Sequence, residues 1–151
     1  MMPDLSDKSK AYIDMVAIIL STYCSTIVEV VDTRQGLSVC KTILLSFLIK
    51  NHCISKTTLY NGHHSKDLLS KAAIEATGQF ESLRFELEFI LQALLLLSKN
   101  DWIVIEDDRV FVGEDAPLSK KKRFDAFSEK LIEECYEVED ALMLKVVIRN
   151  V

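Results

Sequence analysis

Residues 94–115, LLLLSKNDWIVIEDDRVFVGED, decide the fold. A leucine-dense helix runs out at Lys99 and Asn100. Two short β-like runs follow, residues 102–105 and 109–112, with the acidic tip Glu106, Asp107 and Asp108 between them. A helix that empties into a hairpin is how a winged helix-turn-helix ends, with the helix before the hairpin as its reading helix. Trp102 stands where the first strand leaves the helix, so it is expected beneath the hairpin, packed on Leu94 or Leu97.

Upstream, residues 80–98 form the helix that feeds this hairpin. Leu83, Leu87, Ile90, Leu91, Leu94 and Leu97 recur at three- and four-residue steps and predict its buried face. Glu81, Arg84, Glu88 and Gln92 line the opposite stripe, to which Glu86 adds a further carboxylate. Before it, Ser65 is placed to N-cap a helix carrying Leu68, Leu69, Ala72, Ala73 and Ala76, which Gly78 stops. A helix over residues 38–50 has Cys40, Leu44, Phe47 and Leu48 on one face. The first element spans residues 7–32, with Tyr12, Val16, Ile19, Tyr23, Ile27 and Val30 in helical register. β-branched residues crowd its second half and leave a strand there as the alternative.

Downstream, Ala116 and Pro117 close the compact part. From Ser119 to about Arg149 a last helix carries Phe124, Phe127, Leu131, Cys135, Val138 and Leu142 as a heptad-like seam on a charged background. The expected architecture is mainly α: a winged helix-turn-helix core with a two-stranded β-hairpin wing, flanked by long N- and C-terminal helices. Residues 1–36 form the N-terminal extension, 37–116 the core and 117–151 the C-terminal amphipathic helix. A helical bundle with one incidental hairpin is the competing fold.

Composition narrows the function. The chain has 151 residues, 49% of them hydrophobic, and a net charge of −5. With a mean hydropathy of +0.16, it can bury a real core and still expose an apolar interface. Glu81, Glu86 and Glu88 on the reading helix and Glu106, Asp107 and Asp108 on the wing would repel phosphate, so counterion release cannot drive DNA binding there. A solvated acidic face and a protein-contact site both fit that pattern, and both count against DNA.

Lys120, Lys121, Lys122 and Arg123 are the densest positive run. They stand in the first turn of a helix, where each opposes the macrodipole by roughly 0.3–1 kcal/mol. The run reads as a solvated hinge or as a contact to phosphate or an acidic partner. His52, Cys53, His63 and His64 lie in one polar loop without the spacing of a zinc finger. No glycine-rich phosphate loop, GxSxG or HExxH occurs, so neither catalytic residue, metal nor cofactor is expected. The four cysteines are scattered without a CxxC, which fits reduced thiols and a cytoplasmic protein. No signal-peptide pattern opens the chain, and residues 15–28 fall short of the roughly 20 apolar residues of a spanning helix.

Residues 37–50, 65–78, 80–100 and 102–112, taken together, resemble winged-helix accessory subunits of SMC-like and related ABC ATPases. Those are the kite-type subunits of bacterial condensins and the middle component of three-component ABC antiphage systems of the Lamassu type. The resemblance implies a non-enzymatic subunit whose partner is the ATPase or an associated subunit; the long helices, separately, make a homodimer a further expectation. Phe124, Phe127, Leu131, Val138 and Leu142 on the last helix, with Asp107 and Asp108 on the wing, are the expected protein interface. A winged-helix transcriptional regulator, dimerising through its long helices, is the alternative.

Overall fold

The computed structural model describes residues 5–31, 36–51, 78–117, 126–137, 139–141 and 145. They build a mainly helical molecule with one small antiparallel sheet. Helix α1 spans Leu5–Val30 and leads to strand β1, Leu37–Ser38, which passes directly into α2, Val39–Lys50. Helix α3 spans Phe80–Lys99, followed by β2, Ile103–Glu106, β3, Arg109–Val112, and α4, Ala126–Glu137. The helix expected over residues 65–77 and the histidine loop lie outside the described residues.

Local chemistry sets each boundary. Ser38 ends β1 and caps α2, its Oγ accepting the Lys41 amide hydrogen at 3.2 Å. Asn51 closes α2 with its backbone and side-chain nitrogens both donating to the Phe47 carbonyl, at 3.1 and 3.0 Å. At the end of α3 the chain turns through Asp101, whose φ of 57° is left-handed. The Trp102 amide donates to Leu97 O at 3.0 Å and the Asp101 amide to Ser98 O at 3.3 Å. This is a Schellman closure with aspartate where glycine is usual.

The sheet order is β1-β3-β2. Ile103 pairs with Val112, Ile105 with Val110 and Glu106 with Arg109, while Leu37 pairs with Val110 on the other edge of β3. The Val39 amide extends the β1 pairing by donating to Asp108 O at 2.9 Å. Asp107 and Asp108 both take positive φ, 49° and 63°. A two-residue hairpin loop of type I′ demands that backbone, and aspartate tolerates it better than most side chains. The acidic tip is therefore turn chemistry first.

Tyr23, Ile27 and Val30 of α1 meet Phe47 and Leu48 of α2 and Ile90 and Leu94 of α3 in one core, which Ile103 and Val110 floor from the sheet. Each such side chain contributes about 1.5–3 kcal/mol on leaving water. Because that stripe of α1 needs 3.6-residue spacing to face two helices at once, its β-branched second half is helix and not strand. Leu131 and Cys135 of α4 are buried in the same core.

Trp102 and the buried face of α3 depart from the expected placement. Trp102 is 37% exposed and not buried beneath the hairpin. The Schellman turn re-aims the chain, so the following residue, Ile103, takes the inward position. On α3 the buried face is Phe89, Ile90, Ala93, Leu94 and Leu97. Leu87 and Leu91, read as inward, face out. With leucine at 87, 91, 94, 95, 96 and 97, periodicity has little contrast by which to choose between the two faces.

Candidate protein-interaction surface

The outer face of α3 carries Leu87, Leu91 and Leu95 one turn apart, and Leu91 and Leu95 are 49% and 55% exposed. Arg84, Glu88 and Gln92 flank them, and together these six residues line a shallow groove of about 430 Å³. Phe85, further round the helix, is 65% exposed and stacks edge-on against Phe89, with ring centroids 6.0 Å apart. Large apolar side chains at helical spacing make a continuous patch, of the kind soluble monomers seldom leave uncovered.

Glu86 does not belong to the outward acidic stripe. It reaches inward between α1 and α2, where Lys50 Nζ sits 2.6 Å from its Oε1. Tyr23 Oη and Asn51 Nδ2 donate to its Oε2, the latter at 2.8 Å. The Lys50 ammonium also lies 5.0 Å from the centre of the Tyr23 ring. Burial pulls the Glu86 carboxyl upward, but the hydrogen bonds from Lys50, Tyr23 and Asn51 and the Lys50 charge outweigh it and hold it below the ordinary glutamate range. One carboxylate thus ties three helices. Sequence spacing puts Glu86 beside the buried Phe89 and Ile90, which was the available signal.

A second polar contact joins α2 to the segment after α4. The buried Lys41 ammonium lies 3.0 Å from Asp140 Oδ1. Burial raises the Asp140 carboxyl less than the Lys41 and Ser38 hydrogen bonds and the Lys41 and Arg109 charges lower it. Arg109 itself donates to Gly36 O at 2.9 Å. These groups line a polar cleft of about 390 Å³ shared with Tyr136, Glu137 and Glu139. Two cations, Lys41 and Arg109, stand there against three carboxylates, Glu137, Glu139 and Asp140, so the cleft offers no attraction to an anion. Tyr136 Oη also donates to Val30 O at 3.2 Å, closing α4 onto the end of α1.

Of the expected interface, Asp107 and Asp108 are exposed at the hairpin tip. Leu131 is fully buried in the chain's own core, and a partner cannot reach it there. Phe127 lies in α4, but its side chain is outside the described residues, as are Phe124, Val138, Leu142 and Lys120, Lys121, Lys122 and Arg123. The apolar face of α3 is hidden in the sequence because the periodicity puts two of its three leucines, Leu87 and Leu91, in the core.

Among the described residues no group of three or more histidine, cysteine or acidic side chains is placed to hold a metal ion. Burial pushes the Cys24 thiol up, away from the reactive thiolate. Among the described residues one helix, α1, is long and apolar enough to cross a membrane, since its apolar stretch runs well beyond the residues 15–28 considered from the sequence. Tyr23, Ile27 and Val30 at its C-terminal end are nevertheless core residues, and Tyr23 is held by Glu86. No family model, no curated protein and no solved structure matches the chain.

Proposed function

We propose that this chain is a winged-helix protein-interaction subunit without catalytic activity of its own, which uses the outer face of α3 to bind protein where a DNA reader would use it to bind bases. The element order α1-β1-α2 followed by α3-β2-β3, with strand order β1-β3-β2, supports the winged-helix assignment. The observation that carries the function is the exposed run Leu87, Leu91 and Leu95 on the helix that precedes the hairpin. Leucine side chains gain nothing from phosphate, and Glu81, Glu88, Asp107 and Asp108 would repel it.

The resemblance to accessory subunits of SMC-like and ABC ATPases makes such an ATPase the partner to try first, in the cytoplasm. The test is co-expression with the SMC-like ATPase of the same genome, followed by purification through a tag on the ATPase. The wild-type chain should co-purify, and the Leu91→Asp, Leu95→Asp double variant should not. In parallel, a DNA titration at physiological salt should show no sequence-dependent binding. Sub-micromolar, sequence-dependent affinity would instead establish the transcriptional-regulator reading.

A further inference from the structure

The outer face of α3 has a charge order that selects its occupant. Beside the leucine run, Glu81, Glu88, Gln92 and Lys99 are all exposed and follow one another at steps of seven, four and seven residues. Those steps keep all four on one stripe of the helix. The stripe is symmetric about position 90. Glu81 and Lys99 stand nine residues to either side of it, and Glu88 and Gln92 stand two.

We infer that this face pairs with the same face of a second copy, α3 against α3 in antiparallel orientation, with the two-fold axis level with residue 90. This rests on the reading of α3 as a protein-binding helix and names what occupies that face: the second copy sits on it, and the ATPase captures the pair, so that losing the pair loses the capture. In that arrangement Lys99 meets Glu81 of the second copy, about 13.5 Å along the helix from the axis, and the symmetric contact repeats at the other end. Glu88 meets Gln92 of the second copy, a donor that it already accepts from within its own helix at 3.4 Å. Leu91 seats between Leu87 and Leu91 of the second copy, with Leu95 closing the seam. In a parallel pair the stripe beside the seam would lie on opposite edges of the two helices, and none of these cross-pairs could form. Acid at the start and base at the end also suit the helix's own dipole. That preference alone would not require Glu88 and Gln92 to fall symmetrically inside them, nor leucines to run alongside. Two copies related by a two-fold axis use one patch twice, as isologous dimers do.

A single helix pair lies at the small end of specific interfaces, below about 1,200 Å² in total, so association should be read between about 1 and 200 µM, the micromolar regime of modest binding energies. Sedimentation of the full chain across that range should show a monomer–dimer equilibrium. Leu91→Asp should weaken it by about a hundredfold or more, while an unchanged melting temperature shows that the half-exposed side chain is not a core residue. Glu81→Lys and Lys99→Glu should each weaken it about tenfold, and the two together should restore it to within about threefold, since the double variant rebuilds both cross-pairs. Should Leu91→Asp fail to fold, the charge-reversal set decides alone. A chain that stays monomeric throughout, or a dimer indifferent to these changes, overturns the inference. A monomer whose capture by the ATPase is nonetheless lost in the Leu91→Asp, Leu95→Asp variant overturns self-pairing and leaves the protein-binding reading of α3 standing.

Discussion

Lys50 at the end of α2 holds Glu86 of α3 at 2.6 Å, and both side chains are largely withdrawn from water. With Tyr23 of α1 on the other carboxylate oxygen, this pair joins the three helices at one charged point. A pair removed from solvent is a weak source of net stability, yet losing one partner strands the other. Glu86→Ala should therefore lower the unfolding free energy by about 3–5 kcal/mol. Leu91→Ala, on the exposed face of the same helix, should change it by no more than about 1 kcal/mol. Urea denaturation of both variants checks the contrast.

The same carboxylate makes stability depend on acid. The Glu86 carboxyl is held below its ordinary value of 4.5 in the folded chain, and Asp140 is held below 3.8. A lowered folded-state value means that the unfolded chain takes up the proton first. The contribution is thus complete above the unfolded value and is lost as pH falls through the folded one. Urea midpoints should fall between about pH 5 and about pH 3, and less steeply in Glu86→Gln, which has no proton to take up there. A wild-type midpoint that does not move over this range would contradict the geometry of the pair.

The hairpin tip separates turn chemistry from recognition. Asp107 and Asp108 both hold left-handed φ, a conformation that costs most L residues roughly 1–2 kcal/mol. Asp108→Gly should stabilise the fold by about 0.5–1 kcal/mol. Asp107→Lys with Asp108→Lys should cost about 1 kcal/mol or more, because a long side chain lacks aspartate's local hydrogen bonding. Thermal melts of the three proteins order them. Identical melting temperatures would mean that the tip does not form this turn.

The sequence was most legible where chemistry is local. The end of α3 at Asn100, the Ser38 boundary of α2 and the second strand at Arg109–Val112 follow from cap and turn residues that carry their own hydrogen-bonding reason. The buried side of α3 was not legible. Leu87, Leu91, Leu94, Leu95, Leu96 and Leu97 are alike to any pattern of polarity, and only the placement of α1 and α2 decides which of them face inward. Charge usually marks surface, so the sequence puts Glu86 outside, and its two closest partners lie 36 and 63 residues away. Trp102 failed for another reason. The left-handed turn at Asp101 shifts the strand by one side-chain direction, and a one-residue shift exchanges inside for outside.

That exchange is testable at Trp102 and Ile103. Ile103 is buried and Trp102 is 37% exposed. Ile103→Ala should cost about 2–5 kcal/mol, in the range for a deleted core aliphatic. Trp102→Ala should cost less than the 3–5 kcal/mol of a buried aromatic. The native emission maximum should fall between the buried and fully solvated limits. A strongly blue-shifted maximum, or the opposite order of the two losses, would put the tryptophan in the core.

Gly113 is where backbone meets backbone. A β-carbon there would stand 2.1 Å from the Asp101 carbonyl oxygen, and neither atom belongs to a side chain that could swing aside. The approach exists because the Gly113 amide donates to Trp102 O at 2.8 Å and the Asp115 amide to Asp101 O at 3.1 Å. These two bonds continue the β2-β3 ladder past its last paired residues and fasten it to the turn that ends α3. Gly113→Ala must push β3 away from that turn and weaken both bonds, so a loss of about 2–3 kcal/mol is expected, in the upper range for single substitutions. Amide exchange should locate the damage. Protection should drop at Gly113 and Asp115 and persist at the α2 amide of Asn51, which bonds Phe47 O on the far side of the core. Uniform loss of protection would mean that the hairpin and the helices unfold as one unit. Unchanged exchange at Gly113 would show that the chain does not make this close approach.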